Sequence, residues 1–323
     1  MLIVSEQLAR ELVSVEEAIR CVEQTFAAMA RGVACNYPVV REVVGYRDAV
    51  FGVKTGCDTS APVLGLKAGG YWPHNAQRGV GNHQSSTLLF DPETGQATAL
   101  VSANYLTGAR TGASSAIATK YLSRPDSRVL GIIGTGVQAE YQLKATLAVR
   151  PLTRVHAWDP SAENLAEFGR KVSDLGLEFA AERGLAAVVD GADILITVTP
   201  SQQALVRKDW VRPGTHINAM GADTKGKQEL DSNLVAGAVL FVDEVGQAIT
   251  IGEFQHAFAD GLIDEASFRG SIGQVIESLC DGRRSQSEIT IYDGTGVALQ
   301  DLVVADLAAH LARERGLGAI VEY

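Results

Sequence analysis

The segment Arg128–Ala139, RVLGIIGTGVQA, constrains the fold more than any other part of the chain. Its apolar residues are typical of a strand that is buried on both faces, and a helix-favouring segment follows the glycines. In the pattern Gly-x-Gly-x-x-Ala, the first glycine permits a tight turn and the second lets a pyrophosphate approach bare backbone. The small Ala139 lets the helix pack closely on the strand. Strand, turn and helix in this order predict the start of a dinucleotide-binding domain.

An acidic residue supports this interpretation. A second strand, RVHAW, ends at Asp159, roughly 20 residues beyond the turn, where a carboxylate accepts hydrogen bonds from the ribose hydroxyls of NAD. A carboxylate at this position also repels a 2′-phosphate, which favours NAD(H) over NADP(H). The alternative, a glycine turn between two ordinary elements, does not explain why strand, helix and acid occur together.

The length of 323 residues indicates about two domains of ordinary size. With 46% hydrophobic and 20% charged residues, the composition is that of a soluble globular protein. A net charge of −10 without basic clusters argues against nucleic acid as a partner. The sequence contains no signal peptide and no apolar stretch long enough to span a membrane, so we expect a cytoplasmic protein. The four cysteines lack metal-type spacing, and we expect no metal site.

The order of patterns predicts an α/β protein. Helical patterns cover residues 5–30, short strands and turns follow over 37–95, and a helix rich in small residues spans 107–122. Arg124-Pro125-Asp126 is typical of a hinge. Beyond it, strands alternate with helical segments, as in a doubly wound parallel sheet. The later predicted strands are 177–181, 192–199, 215–220, 239–244 and EITIYDG; the predicted helices include EFQHAFADGLI, SIGQVIESLCDGR and a long C-terminal helix that ends at Gly316.

Cations in the first third of the chain stand in unusual contexts. Lys67 lies within an apolar strand, Arg110 lies in a run of small residues, and Arg41 lies in another predicted strand. Each alone is typical of a solvated surface charge. The alternative is that they converge on one carboxylate, with a guanidinium fork from arginine and a point charge from lysine. His83, ordinarily a hydrogen-bonded loop histidine, is a candidate second polar anchor.

Polar residues follow the predicted strands at the edge where a parallel sheet binds its ligands. Thr197 and Thr199 end one predicted strand, and Gly221-Ala222-Asp223 comes directly after the next. Asp223 is a candidate catalytic acid near the nicotinamide ring. The alternative is an ordinary turn or helix-capping aspartate, and the sequence alone leaves both open.

Several motifs together resemble the ornithine cyclodeaminase/mu-crystallin family over nearly the whole chain: LGLKAGGYWP, HQSSTLLFDPETGQATALV, the RTGA run at Arg110, GIIGTGVQA and GADTKGKQEL. The resemblance implies a substrate-binding and dimerisation domain of residues 1–123, completed by the C-terminal helix in 297–323. It further implies an NAD-binding Rossmann domain of residues 124–296, and a homodimer built through the first domain.

The resemblance also implies roles for individual residues. Lys67, Arg110 and, less closely matched, Arg41 would bind the substrate carboxylate, with Arg110 also contacting the nicotinamide. Asp223 would exchange a proton with the substrate nitrogen. The implied cofactor contacts are Gly134, Thr135, Gly136, Val137, Gln138, Asp159, Thr199, Met220, Gly221, Ala222, Lys227 and Thr295.

We therefore expect hydride transfer between nicotinamide C4 and the carbon that bears nitrogen in an α-imino or α-amino acid. Lys67 and Arg110, with Arg41, would hold the α-carboxylate and polarise the C=N bond, so Lys67 is a candidate catalytic residue beside Asp223. Asn82, His83 and Arg41 exceed what one carboxylate needs, which favours a small dicarboxylic imine such as iminosuccinate, whose reduction gives aspartate. The segment Gly81–Gln84 departs from the cyclodeaminase pattern. The alternatives are a cyclodeaminase of ornithine or lysine, an amino-acid dehydrogenase that uses ammonia, and a non-catalytic, crystallin-like binding protein.

Overall fold

The computed structural model describes residues 1–322, which form two compact units. The first unit comprises Met1–Arg110 together with the segment that begins at Val297, and the second is Thr111–Gly296. The first boundary lies inside the helix Asn104–Leu122 and not at its end, where the sequence analysis expected it. Tyr323, the last residue of the predicted C-terminal segment, lies outside the described residues.

The first unit is built on an eight-stranded sheet that is antiparallel apart from one pair. Leu2–Val4 pairs in parallel with Ala97–Ser102, and the three-residue strand at the N-terminus was not predicted. The strands in spatial order are Ala319–Ile320, Leu2–Val4, Ala97–Ser102, His83–Phe90, Val63–Tyr71, Val50–Asp58 and Ala34–Asn36, with Val40–Val43 also pairing with Val50–Asp58. The unit's helices are Glu6–Leu12, Val15–Ala30, the C-terminal helix Ala298–Glu314, and the start of Asn104–Leu122.

The C-terminal helix Ala298–Glu314 packs on one face of this sheet, and glycines make the approach possible. A Cβ on Gly56 would lie 3.2 Å from Cγ of Leu299, and one on Gly65 would lie 3.1 Å from Cδ2 of Leu302. The same helix carries a continuous set of buried residues, so it belongs to the core of the first unit. The prediction of a long C-terminal helix is confirmed.

The second unit contains an eight-stranded sheet whose strand pairs are all parallel. Its spatial order is Glu178–Ala181, Arg154–Trp158, Val129–Ile133, Ile194–Thr197, His216–Ala219, Thr290–Asp293, Val239–Val242 and Phe268–Ser271. From Val129–Ile133 the chain adds Arg154–Trp158 and then Glu178–Ala181 on one side. It then crosses back to Ile194–Thr197, which lies on the other side of Val129–Ile133. The switch point of this doubly wound sheet, where dinucleotides bind, therefore lies between these two strands.

Short helices connect the strands of the second unit: Val137–Leu147, Ala162–Asp174, Leu185–Gly191, Ser232–Ala236, Val245–Ala248, Gln255–Ala259 and Ile272–Ile276, with single 3₁₀ turns at Lys208–Trp210 and Glu265–Ser267. The first unit has one such turn, Asn75–Arg78. Within residues 1–322, no helix has both the length and the apolar character needed to cross a bilayer.

Two predicted helices of the second unit are shorter than expected. The first ends at Ala259 because Gly261 adopts a left-handed conformation (φ +68°) just after it. The second ends at Ile276 because Ser278 has a φ of +57°, which a helix cannot accommodate. The strand Phe268–Ser271 and the small parallel sheet of Gln202–Val206 with Gln228–Leu230 were not predicted.

Candidate functional site

The glycine turn of the second unit has the geometry of a phosphate-binding turn. Gly134 adopts a φ of +92°, and a Cβ there would lie 2.8 Å from Cγ2 of Thr199, so only glycine fits. A Cβ on Gly136 would meet no atom within 4 Å, so open space faces this residue. Gly136 is the N-cap residue of the helix Val137–Leu147, and no side chain accepts a hydrogen bond from the first amides of this helix. Val137, the first residue of the helix, is 83% exposed. The open space and the uncapped helix N-terminus fit a pyrophosphate group.

Asp159 lies at the end of the neighbouring strand and is already bonded to the glycine turn. Its Oδ2 accepts a hydrogen bond from the Thr135 amide at 2.6 Å, and its Oδ1 accepts one from the Ser161 amide at 2.8 Å. The carboxylate that the sequence assigns to the ribose therefore also braces the turn that would hold the phosphates. Beside it, buried Thr135 Oγ1 and Gln138 Oε1 have no hydrogen-bond partner among the described residues, which is typical of groups that await a ligand.

Asp223 lies in the loop that follows the strand His216–Ala219. Lys227 Nζ donates to Asp223 Oδ1 at 2.7 Å and to the carbonyl oxygen of Gly221 at 3.1 Å, so Lys227 fixes the loop from within. Thr224 Oγ1 also donates to Asp223 Oδ1 at 3.1 Å. The side chain of Asp223 remains 39% exposed, as a residue that exchanges protons with a ligand requires.

The remaining cofactor candidates lie at the ends of neighbouring strands. Ala222 and Met220 are buried, and a Cβ on Gly294 would lie 2.6 Å from Cε of Met220. Buried Thr295 donates its hydroxyl hydrogen to Asp243 Oδ1 at 2.8 Å. Since Thr197 pairs with Ala219 and Ala219 pairs with Asp293, the structure brings together the chain segments that contain Thr199, Met220–Asp223 and Thr295.

The first unit brings Lys67 and Arg110 together on one acid. Lys67 Nζ lies 3.1 Å from Asp301 Oδ1, and Arg110 Nε lies 2.9 Å from the same oxygen. Lys67 also donates to Thr107 Oγ1 at 2.7 Å, and Arg110 Nη1 donates to Gln300 Oε1 at 3.0 Å. All three charged residues are buried. We call Lys67, Arg110 and Asp301 the buried ion cluster.

Burial and the neighbouring charges of opposite sign act on the pKa values of this cluster in opposite directions. Burial lowers the pKa of the Lys67 ammonium to about 8, an effect that Asp301 opposes and the positive charge of Arg110 reinforces. Burial alone would raise the pKa of Asp301, but Arg110 and Lys67 hold it well below its usual range. Two cations on one carboxylate leave an excess of positive charge, which favours binding of a further anion.

A third cation, Lys54, lies next to the cluster. Lys54 and Lys67 are directly opposite each other on adjacent antiparallel strands, an arrangement that is unfavourable for two like charges. Each lysine stands between two glycines in the pattern Gly-x-Lys-x-Gly, in GVKTG and in GLKAG. Because side chains alternate along a strand, these glycines and lysines share the face that the C-terminal helix covers.

Arg41 and His83 share this face but lie further from the cluster. Arg41 is exposed and is paired with Gly52, two residues before Lys54. His83 is half-buried and lies opposite Tyr71, four residues beyond Lys67, which corresponds to about 13 Å along the strand. The structure therefore groups Lys67 with Arg110 and places Arg41 and His83 toward the outer parts of the same face.

Asp301, Gln300 and Lys54 were not predicted from the sequence. Asp301 lies in a helix of otherwise apolar pattern, three residues after Ala298 and four before Ala305, both of which are buried. An acid in the buried stripe of an amphipathic helix needs a cation as a partner. The position of Asp301 in this stripe could therefore have predicted a buried ion pair. The repeated Gly-x-Lys-x-Gly pattern was the corresponding signal for Lys54.

Comparison with known families places the whole chain in one of them. The family model of the ornithine cyclodeaminase/mu-crystallin family matches residues 1–315. The chain belongs to this family. One fellow member, the iminosuccinate reductase of Paracoccus denitrificans, is 47% identical over 322 residues and covers 100% of both chains.

Solved structures of family members superpose closely on this one. The crystal structure of that iminosuccinate reductase with NAD⁺ has a TM-score of 0.95 at 46% identity and covers 100% of this chain and 99% of its own. The Δ¹-pyrroline-2-carboxylate reductase of Thermococcus litoralis with NADH and L-proline has a TM-score of 0.96 at 32% identity, covering 99% and 100%. An archaeal alanine dehydrogenase dimer with bound NAD has a TM-score of 0.95 at 35% identity, covering 100% and 99%.

The buried ion cluster predicts that the Asp301→Asn variant is strongly destabilised. Removing the carboxylate leaves two buried cations without their counter-charge, which costs about 3–5 kcal/mol of unfolding free energy. Urea denaturation at pH 7 measures the change. Glu314→Gln, on the exposed part of the same helix, is the control and should change stability by less than about 1 kcal/mol. A loss of stability as small in Asp301→Asn as in this control would contradict the prediction.

Proposed function

We propose that this protein reduces a small α-imino acid to the α-amino acid with NADH, and that the substrate is a dicarboxylic imine such as iminosuccinate, which gives aspartate. The observation that carries the proposal is the excess positive charge around Asp301 in the first unit. The 47% identity to an iminosuccinate reductase over the full length supports the choice of substrate.

Residues of the first unit bind the substrate. Lys67 and Arg110 are anchored by Asp301, so their remaining hydrogen-bond donors are held in place before the ligand arrives. They bind the α-carboxylate, which compensates the excess charge. Lys54, Arg41 and His83, on the same face of the sheet, supply the positive and polar groups for the second carboxylate.

Residues of the second unit bind the cofactor. The amides of the glycine turn and the N-terminus of the helix Val137–Leu147 bind the pyrophosphate, and Asp159 accepts hydrogen bonds from the ribose. The negative charge of Asp159 disfavours a 2′-phosphate, so NADH is preferred to NADPH. The bound NADH supplies the hydride for the reaction.

Asp223 completes the reaction on the nitrogen side. The imine carbon gains the hydride, and the nitrogen takes its proton from Asp223 or from a water that Asp223 orients. Lys227 and Thr224 hold this carboxyl group in a fixed orientation, so the proton is delivered from one direction. The product is the amine, with one C–H bond and one N–H bond formed at the former double bond.

A second candidate is an amino-acid dehydrogenase that forms its imine from a 2-oxo acid and ammonia. The similarity to an alanine dehydrogenase, at 35% identity over the whole chain, favours it. The two functions differ in where the imine arises and not in the reduction step. A panel of 2-oxo acids tested with NADH, with and without ammonium, and compared with preformed imines, separates them through the loss of NADH absorbance.

The proposed function predicts that the Lys67→Ala variant loses imine reduction while it keeps NADH binding. Loss of a buried charge that binds the substrate carboxylate should lower kcat/KM at least about 10²-fold. Steady-state assays measure this loss, and calorimetric titration with NADH measures cofactor affinity. Lys144→Ala, at an exposed ion pair of the second unit, is the control and should behave as the wild type. Normal turnover by Lys67→Ala would refute the assignment of this residue.

The lowered pKa of Lys67 predicts the pH dependence of the reaction. The ammonium form binds the carboxylate and is lost as the pH rises through about 8, so kcat/KM should fall above that pH. In Lys67→Arg the charge persists to far higher pH. The pH profile of kcat/KM of this variant, measured with the same substrate, should lack the decrease above pH 8 even if its maximal rate is lower. A descending limb that is identical in both enzymes would show that another group titrates.

The proposal includes a homodimer built through the open face of the first unit's sheet. This face, opposite the C-terminal helix, carries a row of apolar side chains on adjacent strands that are only half-buried: Ile3, Leu100, Leu88 and Leu66. Neighbouring Phe51 is 41% exposed on the same face. An exposed apolar sheet face of this extent is typical of a protein–protein interface. A second copy of the chain would bury it with the same face, related by a two-fold axis. An archaeal relative of the same fold is described as a dimer.

The dimer proposal predicts that Leu88→Asp is a monomer. A carboxylate at the centre of the row would have to be desolvated in the interface without a partner. Light scattering coupled to size-exclusion chromatography gives the mass in solution. Leu175→Asp, at an exposed leucine of the second unit, should remain a dimer. A wild-type protein of monomeric mass would exclude the proposal directly.

A further inference from the structure

Glu229 is a buried acid that bridges two loops of the second unit. Its Oε1 accepts a hydrogen bond from the amide of Thr199 at 2.6 Å, and its Oε2 accepts one from the amide of Gly221 at 3.0 Å. Each amide lies just beyond the end of a strand, and these two strands are neighbours in the parallel sheet, with Thr197 paired with Ala219. One carboxylate thus fixes the distance between two loops.

The two loops are in close contact with each other, and the Gly221 loop is in close contact with Glu229. A Cβ on Gly221 would lie 2.5 Å from Cδ of Glu229 and 2.4 Å from the carbonyl oxygen of Thr199, so the carboxylate lies directly against the backbone. Thr199 in turn lies against Gly134, where a Cβ would come within 2.8 Å of its Cγ2. Glu229 therefore connects the first glycine of the phosphate-binding turn, through Thr199, to the loop that contains Asp223.

Glu229 is itself held by a second buried acid. The amide of Glu229 donates to Glu253 at 2.9 and 3.1 Å, and the amide of Leu230 donates to Glu253 Oε1 at 2.6 Å. The amide of Phe254, next to Glu253, donates to Asp293 Oδ2 at 3.3 Å. Each of these carboxyl groups accepts main-chain amides of the next segment. These bonds hold the backbone of the strand Gln228–Leu230, and with it the position of the Glu229 side chain.

We propose that Glu229 is the residue that positions the nicotinamide end of the cofactor site, by holding the Thr199 and Gly221–Asp223 loops at a fixed separation. This inference rests on the proposed function, which places the nicotinamide beside these loops. Glu229 is not a catalytic residue, because its two oxygens are occupied by main-chain amides. Its effect is exerted through the backbone that it binds.

The discriminating variant is Glu229→Gln. Glutamine has the same shape but only one acceptor oxygen, so its amide nitrogen must face the amide of either Thr199 or Gly221 and repel it. One of the two loops is released. The glycine turn that would bind the phosphates keeps its own hydrogen bonds, from the amide of Thr135 to Asp159 and from the amide of Gly134 to the carbonyl oxygen of Trp158. The control is Asp193→Asn, which alters a carboxylate that accepts the amides of Arg128 and Val129 at the amino end of a strand.

Two ligands separate a positioning role from a merely structural one. ADP-ribose lacks the nicotinamide, so calorimetry should show its Kd within about twofold of the wild-type value in Glu229→Gln, whereas the Kd of NADH should rise about tenfold, as for one lost buried hydrogen bond. At saturating NADH, kcat for the imine should fall about 10²-fold, because a small displacement disturbs the reacting geometry. Asp193→Asn should keep the wild-type ratio of the two Kd values and the wild-type kcat.

Equal weakening of both ligands in Glu229→Gln, or an unchanged Kd of NADH, would overturn the inference. If Glu229→Gln does not fold, Glu229→Asp is the second variant, since it keeps both acceptor oxygens but withdraws them by one methylene, and the same ligand comparison applies. A wild-type protein that binds NADH but reduces no imine would refute the proposed function alone. The comparison of ADP-ribose with NADH would still test Glu229.

Discussion

The structure of the first unit depends on Asp301, a carboxylate that is buried beside two cations. Burying Lys67 and Arg110 without a partner would be prohibitive, and Asp301 offsets enough of that cost for the fold to tolerate them. It does not neutralise them both, so the cluster keeps an excess of positive charge. The sheet and the C-terminal helix exist in this form partly because glycines at positions 56 and 65 let the helix bring Asp301 close to the strands. In the proposed function, the charges that stabilise the first unit are also the charges that bind the substrate.

The second unit uses acids in a different way. Asp159, Glu229 and Asp243 each accept main-chain amides at or near the ends of strands of the parallel sheet, where a doubly wound sheet binds its ligand. Glu253 accepts main-chain amides of the small two-stranded sheet that carries Glu229. A carboxylate that binds two amides at once fixes a loop more rigidly than a single side-chain contact does. Rigid loops are what a hydride transfer requires, since the reaction depends on distance and direction.

The sequence was sufficient to predict the parallel sheet, the phosphate-binding turn and the acid at Asp159, because each depends on local periodicity or on spacing within one βαβ unit. It was not sufficient to predict that Lys67 and Arg110 meet, since their contact runs through Asp301, more than half the chain away. Glu229 was part of a motif that carries the family resemblance, yet its bonds to Thr199 and Gly221 depend on the small parallel sheet, which the pattern did not indicate. The helix that ends at Ile276 was overestimated because no glycine marks its end; Ser278 adopts the left-handed conformation instead.

The hydrogen bond between Asp159 and the amide of Thr135 has a consequence for coenzyme engineering. Replacing Asp159 with a small neutral residue, the usual route toward acceptance of a phosphorylated ribose, would also remove the acceptor that holds the turn in shape. A variant of altered coenzyme preference would then need a substitute acceptor for that amide. Asparagine retains an oxygen for this purpose while removing the charge, so it offers a less disruptive starting point than alanine or glycine.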